Sequence, residues 1–203
     1  MIYFKPLQEV DLRVLYEWFQ EPTINQLYAR GQSWSLKDIE NKYLPRLKGQ
    51  DNVPSFIIHS DNKAIGFIQY YCLSGHYPEG IQKESSLFEN YHPNQIVGID
   101  LFIATHENRG QGLGVVIINQ FINEFLTHFR LVVVDPNHDN IHAIRCYEKA
   151  GFEQSNYSED LAHCVMLKSI EKSFVRDKNH IPVRLNGLMF KNPTIWFNKC
   201  SIC

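Results

Sequence analysis

The chain has 203 residues, of which 44% are hydrophobic and 13% aromatic, so it can form one domain with a sizeable core and is not an intrinsically disordered protein. Its net charge of −2 hides an asymmetry, because residues 169–203 carry six Lys or Arg against two acids. Residues 1–168 are therefore mildly acidic, which argues against a nucleic-acid partner and favours a cationic one.

The first half of the chain predicts strands and helices that lead into a hairpin. In chain order, the predicted elements are a strand over 2–7, a helix over 11–20 with Asp11 as its N-cap, a helix from Ser35, and hairpin strands over 55–59 and 64–72. Asp38 stands three residues after Ser35 and predicts a capping box. Residues 74–95 lack periodicity and are rich in Gly, His, Pro and acids, so they predict a long loop of the kind that is often functional.

The second half predicts alternating strands and helices. In chain order, these are a strand over 96–104, a glycine-rich stretch that opens a helix with an apolar face at 118, 121, 122, 125 and 129, a strand over 130–136, a helix over 141–150 that Gly151 ends, and a strand over 163–168. The whole order predicts a mixed α/β (α+β) fold. Beyond it, Asn186-Gly187 between two β-rich segments predicts a further hairpin over 181–191.

The glycine-rich stretch has the pattern of an anion-binding loop. It reads Arg109-Gly110-Gln111-Gly112-Leu113-Gly114. No lysine follows Gly114, which excludes a P-loop, and the glycine spacing differs from the dinucleotide-binding fingerprint. Glycines before a helix let backbone N–H groups face an anion, the helix dipole adds to the attraction, and Arg109 would supply charge. A glycine-rich turn without a ligand is the alternative for this string taken alone.

A second motif decides between these readings. Residues 140–152 contain N-x-x-A-x-x-x-Y-x-x-x-G-F, and together with the glycine loop they resemble the GNAT superfamily of acetyl-CoA-dependent N-acetyltransferases. The segments "LYEWF", "YLP", "IGFIQYY", "GID", "GQGLG" and "AIRCYEKAGFE" closely resemble the aminoglycoside 6′-N-acetyltransferases. This resemblance spans about residues 5–168. It implies a GNAT domain over 1–170 with a central, mostly antiparallel sheet flanked by helices, and it leaves 171–203 as a C-terminal extension that carries the extra hairpin.

The resemblance also implies the residues that bind the donor. The loop 109–114 corresponds to the pyrophosphate cradle of acetyl-CoA, and Asn140 to an asparagine that contacts the coenzyme. Tyr147 corresponds to the coenzyme-binding general acid that protonates the departing thiolate. Seven residues are close to two helical turns, so Asn140 and Tyr147 share a helix face. A backbone N–H within 101–104 would stabilise the oxyanion, and no metal is required.

Three carboxylates are candidates for the acceptor side. Asp100 interrupts an apolar strand, where an unpaired carboxylate is costly, and in "GID" it corresponds to the carboxylate beside the reacting amine. It can act as general base, as an anchor for the ammonium, or as both. Asp135 and Asp160 correspond to acidic positions that hold aminoglycoside ammonium groups, although Asp135-Pro136 is also a common strand-ending turn and Asp160 could be a solvated loop residue.

These residues predict an enzyme that transfers acetyl from acetyl-CoA to the 6′-amine of an aminoglycoside antibiotic and so confers resistance. The alternative is acetylation of another amine, such as a polyamine, a siderophore precursor or a protein N-terminus; a non-catalytic acetyl-CoA or drug-binding module is a third possibility. The N-terminus resembles no signal or transit peptide, the apolar runs are too short to span a membrane, and the five cysteines form no framework. We therefore expect a cytoplasmic monomer or homodimer without nucleic-acid or membrane partners.

Overall fold

A computed structural model describes residues 1–170, and this part of the chain forms a sheet flanked by helices. The strands are β1 (Ile2–Pro6), β2 (Ser55–Ser60), β3 (Lys63–Cys72), β4 (Ile96–Ile103), β5 (Leu131–Val134), β6 (Glu153–Gln154) and β7 (Met166–Ser169). The helices are α1 (Leu12–Phe19), α2 (Pro22–Leu27), α3 (Leu36–Leu47), α4 (Leu87–Asn90), α5 (Leu113–Phe121) and α6 (Ile141–Lys149). None of these helices is long and apolar enough to cross a membrane.

The strands of the described part form one seven-stranded sheet in the order β1-β2-β3-β4-β5-β7-β6. Neighbouring strands are antiparallel except for β4 and β5, which run parallel. That parallel pairing covers Ile96–Gly98 alone, whereas β4 stays paired with β3 as far as Ile103. The sheet therefore opens between β4 and β5 after Gly98. The predicted mixed, mostly antiparallel sheet flanked by helices is confirmed.

Side chains along each strand point alternately to the two faces of the sheet, and a different set of helices packs on each face. On one face, Phe67 and Phe102 pack in an apolar cluster with α1, α2 and α3. On the other, Val97 and Ile99 pack with α5 and α6. Because successive strand side chains point to opposite faces, Asp100 lies on the same face as Phe102, the face that α1–α3 cover.

Local polar signals at the helix ends are largely as predicted. Ser35 and Asp38 form the capping box at the start of α3, and the Asn140 side chain caps α6. Gly151 follows α6 with a φ of +88°, a conformation that glycine adopts without strain. Asp11 is different: it precedes α1, but its carboxylate accepts the backbone N–H of Gln8 (2.9 Å) instead of capping that helix.

Two expectations about element boundaries need correction. Residues 74–95 include α4, whose buried Leu87 anchors them, so they are not an uninterrupted loop. The short strand β6 was not predicted, and β7 begins at Met166, three residues later than the pattern indicated. The predicted hairpin over 181–191 lies outside the described residues.

A close approach between β3 and β4 makes one glycine necessary. Gly98 is the cross-strand partner of Tyr71, and a Cβ added at Gly98 would lie 2.4 Å from a carbon of the Tyr71 ring. We expect Gly98→Ala to displace this ring and to lower the free energy of unfolding, measured by urea denaturation, by about 1–3 kcal/mol.

Gly75→Ala is the matched control, because nothing lies within 4 Å of a Cβ at Gly75. Its free energy of unfolding should change by less than about 0.5 kcal/mol. Equal effects of the two substitutions would show that the contact with Tyr71 does not constrain residue 98.

Candidate active site

A polar cavity of about 210 Å³ lies on the α1–α3 side of the sheet, next to the opening between β4 and β5. Its charged lining residues come from five different segments of the chain: Arg30, Lys42, Arg46, Glu79, Asp100 and Asp135. Two of the three predicted acceptor-side carboxylates, Asp100 and Asp135, therefore meet in one cavity.

Asp100 is held by a hydrogen-bonded side chain on the neighbouring strand. Gln69 is its cross-strand partner, and the Gln69 Nε2 donates to Asp100 Oδ2 over 2.6 Å. Burial raises the pKa of the Asp100 carboxyl, while the hydrogen bond from Gln69 and the positive charges of Lys42 and Arg46 oppose the rise. The group is thus oriented and binds a proton more readily than a solvated aspartate, two properties that suit a general base.

Further side-chain contacts connect Gln69, the partner of Asp100, to residues outside the sheet. Arg46 of α3 donates from Nη1 to Gln69 Oε1 over 2.5 Å and from Nε to Asp51 Oδ2 over 3.0 Å. His76 Nε2 lies 3.0 Å from the other oxygen of Asp51. Sequence reasoning missed this chain of contacts, although Gln69 carried a usable signal, a polar residue within the apolar strand "IGFIQYY".

Asp135 connects the sheet to the segment between β3 and β4. It follows β5, and its Oδ2 accepts the backbone N–H of Glu79 over 2.7 Å. Burial, followed by the negative charge of Asp100, raises the pKa of Asp135 to about 7, against the opposing effect of His163. Asp135 is therefore a titratable carboxyl near neutral pH as well as a structural acceptor.

Tyr147 lies on α6, in the layer on the opposite face of the sheet. The residue is 8% exposed, and its ring packs edge-on against Phe152 at a centroid distance of 5.5 Å. Burial, and next the negative charge of Asp100, raise the pKa of the Tyr147 hydroxyl well above its ordinary value. The hydroxyl is consequently protonated at neutral pH and can donate a proton.

The glycine loop has the backbone that an anion site requires. Gly110 and Gly112 have φ values of +75° and +79°, and Gly112 is the N-cap of α5. Within the described residues, no side chain caps α5, and the Val115 N–H donates to the Gly112 carbonyl over 3.1 Å, so the N–H groups of Leu113 and Gly114 are the ones available to a ligand. A Cβ at Gly114 would lie 2.7 Å from Cys146 Sγ, so this glycine allows α5 to approach α6. Gln111 turns back, and its Nε2 donates to the carbonyl of Glu107 over 2.7 Å.

Two predicted donor-side residues have additional partners. The Arg109 guanidinium donates to the carbonyls of Ile103 (2.8 Å) and Ala104 (3.0 Å) and lies 3.3 Å from the Glu21 carboxylate. The Arg109 guanidinium is thus directed at the end of β4 and the start of α2. The sequence predicted instead that its charge contributes to an anion site. The Asn140 Oδ1 accepts the N–H of Ala143 over 3.1 Å, which leaves its amide nitrogen for a ligand.

Asp160 is not among the residues that line this cavity, and its role in substrate binding stays a prediction. Its carboxylate accepts the N–H of Ala162 (2.8 Å) and contacts His163 Nδ1 (2.5 Å), and these hydrogen bonds lower its pKa. His163 Nε2 in turn lies 3.0 Å from Glu79, which pairs with Arg30. Asp160 thus reaches the cavity through two intervening side chains, which position it as a support for Glu79.

Comparison with known proteins identifies the family. A family model described as an acetyltransferase (GNAT) domain matches residues 8–159. The chain belongs to the GNAT acetyltransferase family. In the described part of this GNAT protein, no three His, Cys, Asp or Glu side chains are grouped to hold a metal ion.

Similar proteins narrow the relationship further. This GNAT chain is 30% identical to aminoglycoside N(6′)-acetyltransferase type 1 of Klebsiella pneumoniae over 151 residues, which cover 73% of the chain and 72% of the relative. Aminoglycoside acetyltransferase AAC(6′)-Ib, solved with paromomycin and acetyl-CoA, is 28% identical with a TM-score of 0.71 and covers 89% of this chain and 99% of its own. The same enzyme solved with coenzyme A and kanamycin gives 29% identity, a TM-score of 0.69, and 83% and 95% coverage. The resemblance to aminoglycoside 6′-N-acetyltransferases is confirmed as homology.

The raised pKa of Asp135 predicts a pH dependence of stability for this GNAT fold. An unfolded Asp has a pKa of about 3.9, so between pH 4 and pH 7 the folded state binds more protons than the unfolded one. The stability that this proton provides is complete below pH 4 and is lost as the pH rises through 7. Asp135→Asn removes the titration, so its gain in unfolding free energy over wild type should be about 1–3 kcal/mol larger at pH 8 than at pH 5 in urea denaturation.

Asp139→Asn serves as the control, because Asp139 is exposed. Its difference from wild type should be the same at both pH values. A difference for Asp135→Asn that does not change with pH would contradict the buried environment of this carboxyl.

Proposed function

We propose that the chain transfers acetyl from acetyl-CoA to the 6′-amine of an aminoglycoside, and so inactivates the antibiotic. The observation that carries the proposal is the meeting of Asp100 and Asp135 in one cavity, in electrostatic contact with the protonated Tyr147. Carboxylates in a partly desolvated cavity suit the ammonium groups of an aminosugar, and each charge-assisted hydrogen bond contributes about 1.5–3 kcal/mol. Homology to aminoglycoside N(6′)-acetyltransferases supports the same acceptor.

The donor side of the proposal rests on the backbone at the start of α5. The positive φ angles of Gly110 and Gly112 and the uncapped first turn fit the pyrophosphate of acetyl-CoA, with Gln111, Leu113 and Gly114 completing the loop. Arg109 holds this loop against β4, and Asn140 offers its amide nitrogen to the coenzyme. These residues fit the co-substrate that the structural relatives contain.

The proposed acetyl transfer uses Asp100, Tyr147 and backbone N–H groups of β4. Asp100, directly or through a water, takes a proton from the ammonium, and the free amine attacks the thioester carbonyl carbon. The carbon–sulfur bond then breaks, and Tyr147 donates its proton to the thiolate. The Ala104 N–H donates to the carbonyl of Ile65 in β3. Because N–H groups alternate in direction along a strand, those of Leu101 and Ile103 point away from β3, towards the opening. They are the candidates for stabilising the oxyanion of the reaction.

The proposal also includes a cellular location, an oligomeric state and a domain division. An acetyl-CoA-dependent enzyme is expected in the cytoplasm, as a monomer or homodimer. Residues 1–170 form its catalytic domain, and 171–203 are an extension to it.

Coenzyme A release by the purified chain tests the acceptor. We expect turnover with acetyl-CoA and kanamycin or tobramycin to exceed turnover with spermidine. Turnover of spermidine with no turnover of either antibiotic would reject the aminoglycoside assignment and favour a polyamine acetyltransferase.

The roles of Asp100 and Tyr147 predict specific losses. Asp100→Asn and Tyr147→Phe should each lower kcat on kanamycin by about 10²- to 10⁴-fold, because each removes a group that transfers a proton. Tyr3→Phe, on the outer strand β1, is the control and should keep the wild-type kcat. An unchanged kcat in either active-site variant would exclude the corresponding proton transfer.

The loop assignment predicts a difference between two glycines with the same backbone strain. Gly112 and Gly49 both have positive φ, and nothing lies within 4 Å of a Cβ at either position. Gly112→Ala and Gly49→Ala should therefore each lose about 1–2 kcal/mol of stability. Gly112→Ala alone should raise the KM for acetyl-CoA, by about tenfold or more, since it alone alters the proposed pyrophosphate loop; equal KM values would contradict that loop.

A further inference from the structure

The cavity beside Asp100 has as many cationic as carboxylate side chains in its lining. Arg30, Lys42 and Arg46 stand opposite Glu79, Asp100 and Asp135. Cations that pair with carboxylates help to offset the burial of negative charge, whereas a cation without such a partner repels a polycationic ligand. A lining cation without a carboxylate partner would instead attract a group of negative charge.

Two of the three cations already have carboxylate partners. Arg30 pairs with Glu79, and Arg46 pairs with Asp51 over 3.0 Å. Lys42, by contrast, has no ion pair among residues 1–170, and its Nζ lies over the rings of Trp34 (5.1 Å) and Tyr43 (5.5 Å). Burial, and next the charge of Arg46, lower the pKa of Lys42 to about 8, so the amine is still mostly protonated at pH 7. Among the three lining cations, Lys42 is thus the one without an ion pair to a carboxylate in residues 1–170.

Binding of an acceptor at Asp100 changes the electrostatic environment of Lys42. In the free enzyme, Asp100 attracts Lys42 through space. Once an acceptor ammonium is held at Asp100, that carboxylate is neutralised by the ligand, and Lys42 keeps a partly buried charge without compensation, which is unfavourable. An acceptor that carries its own carboxylate can compensate Lys42 while its amine remains at Asp100.

The size of the cavity fits a small acceptor of this kind. Sites for drug-sized ligands usually occupy about 300–1,000 Å³. The present cavity, at about 210 Å³, is smaller. It suits an amino-acid-sized molecule, or one ring of an aminoglycoside with the rest outside.

We propose that Lys42, with Arg46 beside it, forms a carboxylate subsite, and that the enzyme also acetylates small amines that carry a carboxylate, such as basic amino acids. The amine nitrogen forms its bond to the acetyl carbon as the carbon–sulfur bond of acetyl-CoA breaks. The amine proton passes to Asp100 or water, and Tyr147 protonates the thiolate. The proposal rests on the proposed role of Asp100 but not on the aminoglycoside as acceptor.

Matched acceptors test the subsite. Lysine and cadaverine differ by one carboxylate, as do ornithine and putrescine, so the ratio of kcat/KM within each pair isolates that group. We expect wild type to prefer the amino acid by tenfold or more, measured by coenzyme A release with the product verified by mass spectrometry. Lys42→Met should bring the ratio close to one, Lys42→Arg should retain the preference, and Lys37→Met, on the exposed side of α3, should leave it unchanged.

The same variants separate this proposal from the aminoglycoside assignment. Because Lys42 lines the same cavity, the control for basal activity is Lys37→Met, whose kanamycin turnover should equal that of wild type. Calorimetric titration of lysine and cadaverine without acetyl-CoA gives the same comparison independently of turnover. Equal use of amine and amino acid by wild type, no use of either, or a preference that survives in Lys42→Met would overturn the subsite. Turnover of lysine without kanamycin would instead reject the aminoglycoside and keep the subsite.

Discussion

The end of the pairing between β4 and β5 is the constraint on which the candidate site depends. These parallel strands share three residue pairs and then separate after Gly98 and Val133. Asp100 and Asp135 each stand two residues beyond the last pair and, by alternation, on the same face of the sheet. Tyr147 belongs to the opposite layer, and burial, followed by the charges of Asp100 and Asp135 among other causes, raises the pKa of its hydroxyl. The proposed acid and base thus come from opposite faces of the sheet.

Burying carboxylates at this opening has an electrostatic cost that the surrounding side chains offset. On one side, Gln69 and Arg46 hold Asp100 and connect it to α3. On the other, Asp135 accepts the Glu79 backbone N–H, and Glu79 is held by Arg30 and His163. The cations stabilise the negative charge without forming a direct ion pair with Asp100, so its pKa remains raised. That balance keeps the carboxyl both ordered and basic.

The sequence predicted most features whose signal is local. A capping box, a hairpin turn, glycines before a helix and a lone aspartate in an apolar strand all depend on near neighbours in the chain, and each is present in the structure. Contacts between distant segments were missed, because the spacing of residues does not say where a long side chain ends. Arg109 shows this, since its position in the loop was predicted while its guanidinium turns to Glu21. Lys42 and Arg46 were not singled out in the sequence, yet both line the cavity.

The two sides of the site therefore carry different information about function. The proposed donor side is formed by one stretch of chain, from β4 through α5 to α6, which contains both sequence motifs. The acceptor side combines Arg30, α3 and the segment between β3 and β4, which have no motif in common and meet only on the folded sheet. Substitutions at Lys42 or Glu79 can change the charge that the acceptor meets without altering the coenzyme loop. Under the proposed function, recognition of the donor specifies the reaction, whereas the choice of amine would depend on the balance of cations and carboxylates around Asp100.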